Sequence, residues 1–367
     1  MERTIRRHDI DWIRTGAVLL IVPFHAAIIF DTNLKSIMYI RSGVNLFGLN
    51  IFEMFLDRFQ MTLLFLLAGM AIYYSLEKRT NKHFLKTRGI KLFLPMIIGL
   101  VTLCPITTYI YSRSKGSTGS FIQHYIGFFT KPIGNLDGMN GGFTPMHLWF
   151  ILFLFLFSLI GLPIFRFLMN EKCQGAIDKL ANIFSRPMLL LLWVIPYCLI
   201  FLLDILDERN PIAYFFVVMI GFVFASNEKF QKALNRDKWV YLVLSFSIIL
   251  LWYFWVIRKG ETGTILVLYL KYFTTKAARI IPSFAIIGLG SSYIKNGGKV
   301  LQYLSKASFS IYIIHMTVVT VLGYFIIKLN ILPIIQYFTI VILSYILCFL
   351  IYEGYRRFMR MIEKIKI

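Results

Sequence analysis

The sequence predicts an all-α, polytopic integral membrane protein, a helical bundle with about ten transmembrane helices. Of its 367 residues, 58% are apolar or aromatic and only 16% are charged, whereas soluble domains carry about half apolar and about a quarter charged residues. The mean hydropathy is +0.70. The apolar runs are long and continuous, unlike the short alternating segments of a transmembrane barrel. A soluble enzyme, a disordered chain and a disulfide-rich secreted scaffold are therefore excluded.

The predicted spans follow from the length of the apolar runs, because a helix crosses a bilayer with roughly 20 apolar residues. In chain order they are 13–30, 59–76, 92–111, 147–168, 188–206, 211–226, 239–257, 280–294, 307–326 and 334–352. The stretch 264–279 fits either an interfacial helix or the start of a long span. No repeat or low-complexity linker divides the chain, so residues 1–367 are predicted to form a single membrane domain.

Basic residues predict the orientation of these spans. The chain has 39 Lys and Arg against 18 Asp and Glu, a net charge of +21. In a soluble protein this excess would suggest nucleic acid, but here the basic residues concentrate in alternate connections, as the positive-inside rule requires. We therefore expect a plasma-membrane protein with both termini in the cytoplasm and no nucleic-acid partner. The outer loop 113–146 is rich in Gly, Ser and Asn and is predicted to be irregular.

The first span is predicted to be retained and not cleaved as a signal peptide. Its apolar run is long, contains a proline and a histidine, and precedes no small-residue cleavage site. The four cysteines, Cys104, Cys173, Cys198 and Cys348, lie far apart and show no Cys/His ligand spacing. Neither a disulfide framework nor a metal site is predicted.

Arg14 and His25 are the clearest ionisable pair within a predicted span. They are eleven residues apart, or three helical turns plus about 20°, which predicts a shared face and a rise of about 16 Å. A cation near the cytoplasmic interface, with an imidazole deep in the same groove, suits a long substrate with an anionic head, such as acyl-coenzyme A. Alternatively, Arg14 snorkels to the interface and His25 is a hydrogen-bonded packing residue. A proton or ion path, with Asp11 paired to Arg14, is a further interpretation.

Arg88 and Lys91, with Lys86 nearby, form a cationic cluster in the predicted inside loop after the second span. Such a cluster binds the phosphates of a nucleotide as point charges or through an arginine fork. The positive-inside rule alone also accounts for it.

Two later elements supply candidate substrate-binding residues. His147 and Trp149 open the fourth span from the outer side, where Trp is typical of the interfacial belt. In the ninth span, Ser308, Tyr312 and His315 follow at i, i+4 and i+7 and share one helical face. These side chains either line a polar cavity or hydrogen-bond to neighbouring helices.

Five segments, in order, resemble the membrane-bound acyltransferase 3 family. They are DWIRTGAVLLIVPFH, RFQMTLLFLLAGMAIYYSLEKR, FLKTRGIKLFLP, MHLWFILFLF and SKASFSIYIIH. They resemble, in turn, the family's first helix with its basic residue and His, its Phe-Leu-Leu-small-Gly run, its R-x-x-R loop, its His-Leu-Trp-Phe element and its late Ser-Tyr-Ser-x-Tyr-x-x-His element. The resemblance covers nearly the whole chain and looks closest to the stand-alone branch that includes glucan-succinylating enzymes.

The sequence departs from the family pattern in two respects. Lys91 replaces the second arginine of the R-x-x-R loop, which keeps a point charge but loses a bidentate contact. The hydrolase-like outer domain that some members append is not expected.

The resemblance implies an O-acyltransferase that moves an acetyl or succinyl group from cytoplasmic acyl-CoA to a hydroxyl of an extracytoplasmic glycan or glycolipid. By motif match, Arg14 and His25 are the catalytic residues, and Arg88 and Lys91, with Lys86, are cations on the CoA side. His25 acts either as general base or as a covalent acyl carrier. Membrane lipids, the acceptor and proteins of a glycan pathway are the implied partners.

The rival hypothesis is a secondary transporter or flippase in which His25 and His315 relay protons. Transporters are often built from repeated halves with broken helices, and the sequence shows no such symmetry. Stabilisation by acyl-CoA would favour the acyltransferase.

Overall fold

The computed structural model describes residues 7–32, 40–131, 142–203, 205–257 and 264–365. Over these residues the regular structure is helical and includes no strand, which confirms the all-α class. The α-helices are α1 His8–Leu19, α2 Ile21–Ile28, α3 Phe47–Glu77, α4 Asn81–Arg88, α5 Leu94–Ser114, α6 Phe121–Thr130, α7 Trp149–Ile160, α8 Leu162–Leu168, α9 Glu171–Phe184, α10 Val194–Ile200, α11 Pro211–Ser226, α12 Glu228–Ile257, α13 Ile265–Tyr293, α14 Lys299–Ile326 and α15 Pro333–Ile365. Short 3₁₀ turns cover Met146–Leu148, Leu189–Trp193 and Asp207–Arg209, and a π-helical turn covers Gly89–Phe93.

Six helical segments of the described chain are long and apolar enough to cross a membrane. The number rises to eight if each of two bent pairs is one span. One pair joins α7 to α8 at 57°, and the other joins α9 to the Leu189–Ile200 segment at 116°. The chain is therefore a polytopic membrane protein, and the predicted total of about ten spans is not confirmed.

The ambiguous stretch 264–279 and most of the eighth predicted span, 280–294, belong to one helix. This helix is α13, Ile265–Tyr293, with 29 residues, and whether its first half is interfacial stays a prediction. Lys271, Lys276 and Arg279 lie in its first half. These charges lower its mean hydropathy, so α13 is not among the six candidate spans.

The loop 113–146, which is predicted to lie outside, is partly helical, and this corrects the prediction that it is irregular. α6 begins with a capping box, in which the Ser120 hydroxyl accepts from the Gln123 backbone N–H and the Gln123 side chain accepts from that of Ser120. This Ser-x-x-Gln pattern marks a helix start. Residues 132–141 of the loop lie outside the described part of the chain.

The helices pack as two compact units. The first comprises Met1–Arg14, Asp57–Gly89 and Phe153–Gly298, and the second comprises Thr15–Leu56, Ile90–Leu152 and Lys299–Ile367. These are units of packing, and the single membrane domain stays a prediction.

Aromatic rings fill the centre of the first unit. The Phe65 ring lies 5.8 Å from that of Phe157 and 4.6 Å from that of Tyr214, between ring centroids. The rings of Phe165 and Phe222 stack at 4.8 Å. Such pairs stabilise a core beyond the area they bury. They join α3, α7, α8 and α11.

In the second unit, α2, α14 and α15 share an apolar core. Val22, Ile311 and Ile340 contribute to it from the three helices in turn. On its other side α15 exposes large apolar residues such as Ile342 and Leu350. An exposed apolar face of this length suits contact with lipid.

Candidate functional site

The first predicted span exists and has a local irregularity. α1 and α2 together form one candidate span, His8–Ile28, and meet at Leu20. Pro23 accounts for the irregularity, because it has no N–H to donate to the carbonyl of Leu19, four residues earlier. The Tyr345 hydroxyl donates to that carbonyl at 2.7 Å, and the Tyr337 hydroxyl donates to the Pro23 carbonyl at 3.5 Å. α15 thereby fixes the start of α2, the helix that carries His25.

Leu20 keeps right-handed helical backbone angles, its N–H donates to the Gly16 carbonyl at 3.0 Å, and its carbonyl accepts from the Phe24 N–H at 3.1 Å. The helical advance of about 100° per residue therefore continues through this point, and the shared face of Arg14 and His25 stays a prediction. Arg14 belongs to the first unit, where its guanidinium pairs with Asp11 at 2.9 Å. His25 belongs to the second unit and is half-buried.

Arg41 closes the other end of α2. Its Nη1 donates to the carbonyls of Ile28 at 2.6 Å and Asp31 at 2.8 Å. The last carbonyls of a helix lack intrahelical partners and attract cations. His25 lies three residues before the end of this helix, so Arg41 helps to fix its position. Sequence reasoning missed Arg41, although a basic residue soon after a short apolar helix is a signal for such a cap.

Four predicted site residues lie together in the second unit. The rings of His25 and His315 stack with centroids 5.1 Å apart. The His147 ring meets the His315 ring edge-on at 5.2 Å, and the Tyr312 ring lies 5.8 Å from that of His315. α2, α14 and the 3₁₀ turn before α7 therefore bring three imidazoles and a phenol into one cluster, called here the histidine cluster.

Backbone carbonyls fix the protonated nitrogen of two of these rings. Nδ1 of the buried His315 donates to the carbonyls of Tyr312 at 2.6 Å and Ile311 at 3.2 Å. Nε2 of His147 donates to the Ile313 carbonyl at 2.8 Å. A carbonyl only accepts, so Nε2 of His315 and Nδ1 of His147 carry the lone pair when these rings are neutral. Neither atom has a hydrogen-bond partner within the described residues.

The turn that carries His147 is held in an unusual conformation. Met146 has φ 44°, in the left-handed region that non-glycine residues rarely adopt. Its N–H donates to the Thr144 hydroxyl at 3.1 Å. The Tyr312 hydroxyl donates to the carbonyl of His147. Trp149 follows directly and is buried, so its ring is not an exposed interfacial residue.

The residues predicted as an inside loop around Arg88 are helical. α4, the π-helical turn and α5 run on as one candidate span, Asn81–Ser114. Pro95 has no N–H to donate to the carbonyl of Lys91, and a π-helical turn is one way in which a helix passes such a position. The Arg88 guanidinium lies 5.0 Å from the centre of the Phe84 ring. Lys86 and Lys91 are exposed.

Cations gather around Arg88 in the first unit. The charges of Arg79 and Arg14 both act on its guanidinium. Like charges at short range repel, and a bound anion would relieve the repulsion. Arg79 was not predicted as a site residue.

Arg166 fixes the segment that carries Arg79. It donates to the carbonyls of Leu76 at 3.1 Å and Arg79 at 2.6 Å, and to the Asn81 side chain at 2.6 Å. These bonds join the end of α3 to the start of α4. Arg166 lies in the middle of an apolar stretch, and an arginine there is a signal that sequence reasoning did not use.

Comparison with known proteins identifies the family. The sequence profile of the Acyltransferase domain matches residues 7–353, nearly the whole chain. Glucans biosynthesis protein C of Salmonella typhi and that of Salmonella typhimurium are each 25% identical over 169 residues, 46% of this chain and 41% of the relative. The protein of that name from Salmonella paratyphi B is 24% identical over the same shares. The chain thus spans about two fifths of the length of these relatives, and no solved structure matches it significantly.

The profile match includes α1 and α2 with their Arg and His, the helical segment of Arg88, the turn of His147 and the histidine of α14. The chain therefore belongs to the acyltransferase family that this domain defines.

Proposed function

We propose that the protein is an integral membrane O-acyltransferase that transfers an acetyl or succinyl group from cytoplasmic acyl-CoA to a hydroxyl of a glycan or glycolipid across the membrane. Membership of the family supports acyl transfer. The name of the relatives, glucans biosynthesis protein C, supports a glycan acceptor. The same proposal includes residence in the plasma membrane, cytoplasmic termini and partner proteins of a glycan pathway.

The histidine cluster carries this proposal. An acyl transfer needs a group that takes the proton of the attacking hydroxyl. His25 stacks on His315 at 5.1 Å, and the two carbonyl-anchored rings beside it present lone pairs and not N–H groups. Tyr312 completes the cluster and is a candidate contact of the substrate, together with Trp149.

In the proposed reaction, the acceptor oxygen bonds to the thioester carbonyl carbon and the carbon–sulfur bond breaks. His25 takes the hydroxyl proton and passes it to the departing CoA thiolate. In the covalent route, an imidazole nitrogen of His25 bonds to the thioester carbonyl carbon and CoA departs as the thiolate. The acceptor oxygen then bonds to the same carbon, the bond to the imidazole breaks, and the hydroxyl proton passes to the thiolate. Mass spectrometry of the quenched enzyme distinguishes the routes, because only the second yields an acylated His25 peptide.

We assign the CoA phosphates to Arg14 and Arg88, with Lys86 and Lys91 as further cations. The support is the gathering of guanidinium charge around Arg88 in the first unit. Each charge-assisted contact contributes about 1.5–3 kcal/mol. Arg14→Ala and Arg88→Ala should therefore weaken acyl-CoA binding by at least about tenfold each.

The test is transfer in vesicles of known orientation, with acyl-CoA outside and candidate glycans in the lumen. His25→Ala should lower the rate by about 10²–10⁴-fold. The matched control is His83→Ala, which changes an exposed histidine of α4 and should leave the rate unchanged. If His25→Ala keeps more than a small fraction of the activity, about a tenth, the role of His25 is wrong.

Two further outcomes separate the parts of the proposal. Transfer only to acceptors on the same side as the CoA would refute the transmembrane direction and leave acyl transfer intact. If acyl-CoA fails to stabilise the protein and no transfer occurs, the transporter alternative replaces the enzyme.

A further inference from the structure

Two cations are buried one turn apart on α13. The exposed fractions of Lys276 and Arg279 are 8% and 5%. A buried cation is costly unless it is paired. Both pair with the same atom, Oε2 of Glu208, at 2.9 Å from the Lys276 Nζ and 2.7 Å from an Arg279 Nη.

Positive charge exceeds negative charge around this pair. The charge of Arg58 acts on both Glu208 and Lys276. Arg58 itself pairs with Asp57. Among these five side chains, three cations face two carboxylates. The Nε atoms of Arg58 and Arg279 are buried and have no hydrogen-bond partner in the described residues.

The arginine fork of Arg279 keeps one open donor. The Glu208 carboxylate reaches it through a single oxygen, on Nη2, and the Glu208 backbone carbonyl accepts from Nη1 at 3.5 Å, while Nε stays unpaired. A guanidinium binds a phosphate through two parallel N–H groups, since several oxygens surround the phosphorus atom. A tetrahedral anion thus satisfies a donor that the carboxylate leaves open.

The cations are buried on a long helix, whereas the carboxylate is exposed on a short turn. Lys276 lies over the Phe201 ring at 4.2 Å and near the Tyr272 ring at 5.7 Å, on a helix of 29 residues. Glu208 stands on a three-residue 3₁₀ turn and its side chain is 54% exposed. Leu206, just before this turn, has φ 55°, a left-handed conformation that costs energy in a non-glycine residue. Glu208 is therefore the part that moves more easily.

We propose that Lys276 and Arg279 form a binding site for a phosphate ester, which Glu208 occupies as an internal, displaceable carboxylate. Arg58 adds long-range attraction for the anion. The distribution of Lys and Arg along the chain predicts that the segment of Glu208 lies on the outer side of the membrane. The phosphate belongs either to a lipid headgroup or to a soluble phosphate compound, and both have the same recognition chemistry. The proposal does not depend on acyl transfer.

The test is titration of the purified full chain in non-ionic detergent with inorganic phosphate and, separately, with short-chain phosphatidic acid, followed by thermal unfolding. Glu208→Gln removes the competing charge but keeps the size of the side chain. It should bind phosphate at least about tenfold more tightly than the wild type, because a charge-assisted competitor is lost. Arg279→Met should abolish the response.

The matched control is Glu228→Gln, which removes an exposed carboxylate from the surface ion pair with Lys232 and should leave phosphate binding unchanged. If Arg279→Met does not fold, the comparison of wild type with Glu208→Gln decides alone. A response to both ligands supports the site and indicates the phosphate group itself, whereas a response to phosphatidic acid alone supports the site and indicates a lipid headgroup. If Glu208→Gln is destabilised but binds neither ligand more tightly than the wild type, Glu208 is only a structural ion pair and the proposal is wrong.

Discussion

A methyl group placed where α3 crosses α11 should destabilise the first unit. A Cβ on Gly69 would lie 2.0 Å from the Val218 carbonyl oxygen and 2.9 Å from the Phe222 nitrogen. A Cβ on Gly221 would lie 2.0 Å from the Leu66 carbonyl oxygen. Ordinary contact begins at 3.4 Å, so the two backbones would have to separate by about 1.4 Å to admit either methyl group.

Because the obstructing atoms belong to the backbone, they cannot rotate aside as a side chain would. Overpacking typically costs about 1–3 kcal/mol, and we expect Gly221→Ala and Gly69→Ala to lie at the upper end, about 3 kcal/mol. The separation would also loosen the contact between Phe65 and Tyr214, which join the same two helices at 4.6 Å. Thermal unfolding in detergent, followed by intrinsic fluorescence, measures the loss.

Gly175→Ala in α9 is the matched control, since a Cβ there meets nothing within 4 Å. It should be neutral or stabilising, by up to about 1 kcal/mol, because glycine is unfavourable within a helix. If Gly221→Ala unfolds at the same temperature as Gly175→Ala, the two helices do not meet at these glycines and the described crossing is wrong.

Three further predictions concern α2, the ion pair of Glu208 and the topology. Arg41→Met should lower kcat for acyl transfer more than it changes KM for acyl-CoA, because it frees the end of α2 without touching the donor; an unchanged kcat in steady-state kinetics would exclude this positioning role. Burial alone would raise the pKa of Glu208, but attraction from Arg279 and Lys276 outweighs it and the pKa lies below its usual range. The ion pair therefore stabilises the fold above the pKa of an unfolded glutamate, about 4.3, and this stability is lost as the pH falls through the folded pKa. The wild type should thus lose more unfolding temperature than Glu208→Gln between about pH 6 and about pH 3. Equal losses in the two proteins would contradict this prediction. Cys173, half-buried in α9, should react with an impermeant thiol reagent only in inside-out vesicles, and its labelling in intact cells would reverse the predicted orientation.

The α14 face was predictable because nothing interrupts that helix between its polar residues. Ser308, Tyr312 and His315 follow the 3.6-residue repeat, and all three are buried in the structure. In the first span the same repeat predicts a shared face for Arg14 and His25, which stays a prediction because the two residues fall in different packing units. Pro23 removes one backbone donor between them but leaves Leu20 with helical backbone angles.

Partners across helices were not predictable from spacing. Periodicity assigns a residue to a face of its own helix, but it does not say which other helix covers that face. The stacking of His25 on His315 therefore came from the structure, although both residues were candidates. The buried cations of α13 were not predictable in the same way, because their stretch forms no clear apolar span and an ionisable residue stands out only within such a span.

The anchored rings of the histidine cluster constrain where a proton resides in the proposed reaction. His315 and His147 each give one N–H to a backbone carbonyl, so each gains a positive charge if it accepts a proton at its other nitrogen. A charge within a buried cluster is costly unless an anion lies close to it. The proton taken from the acceptor therefore remains on His25 only while the negative charge of the departing thiolate is nearby. In the general-base route, this requirement ties the base to the donor and predicts that hydroxyl attack and thiolate departure occur in one bound complex.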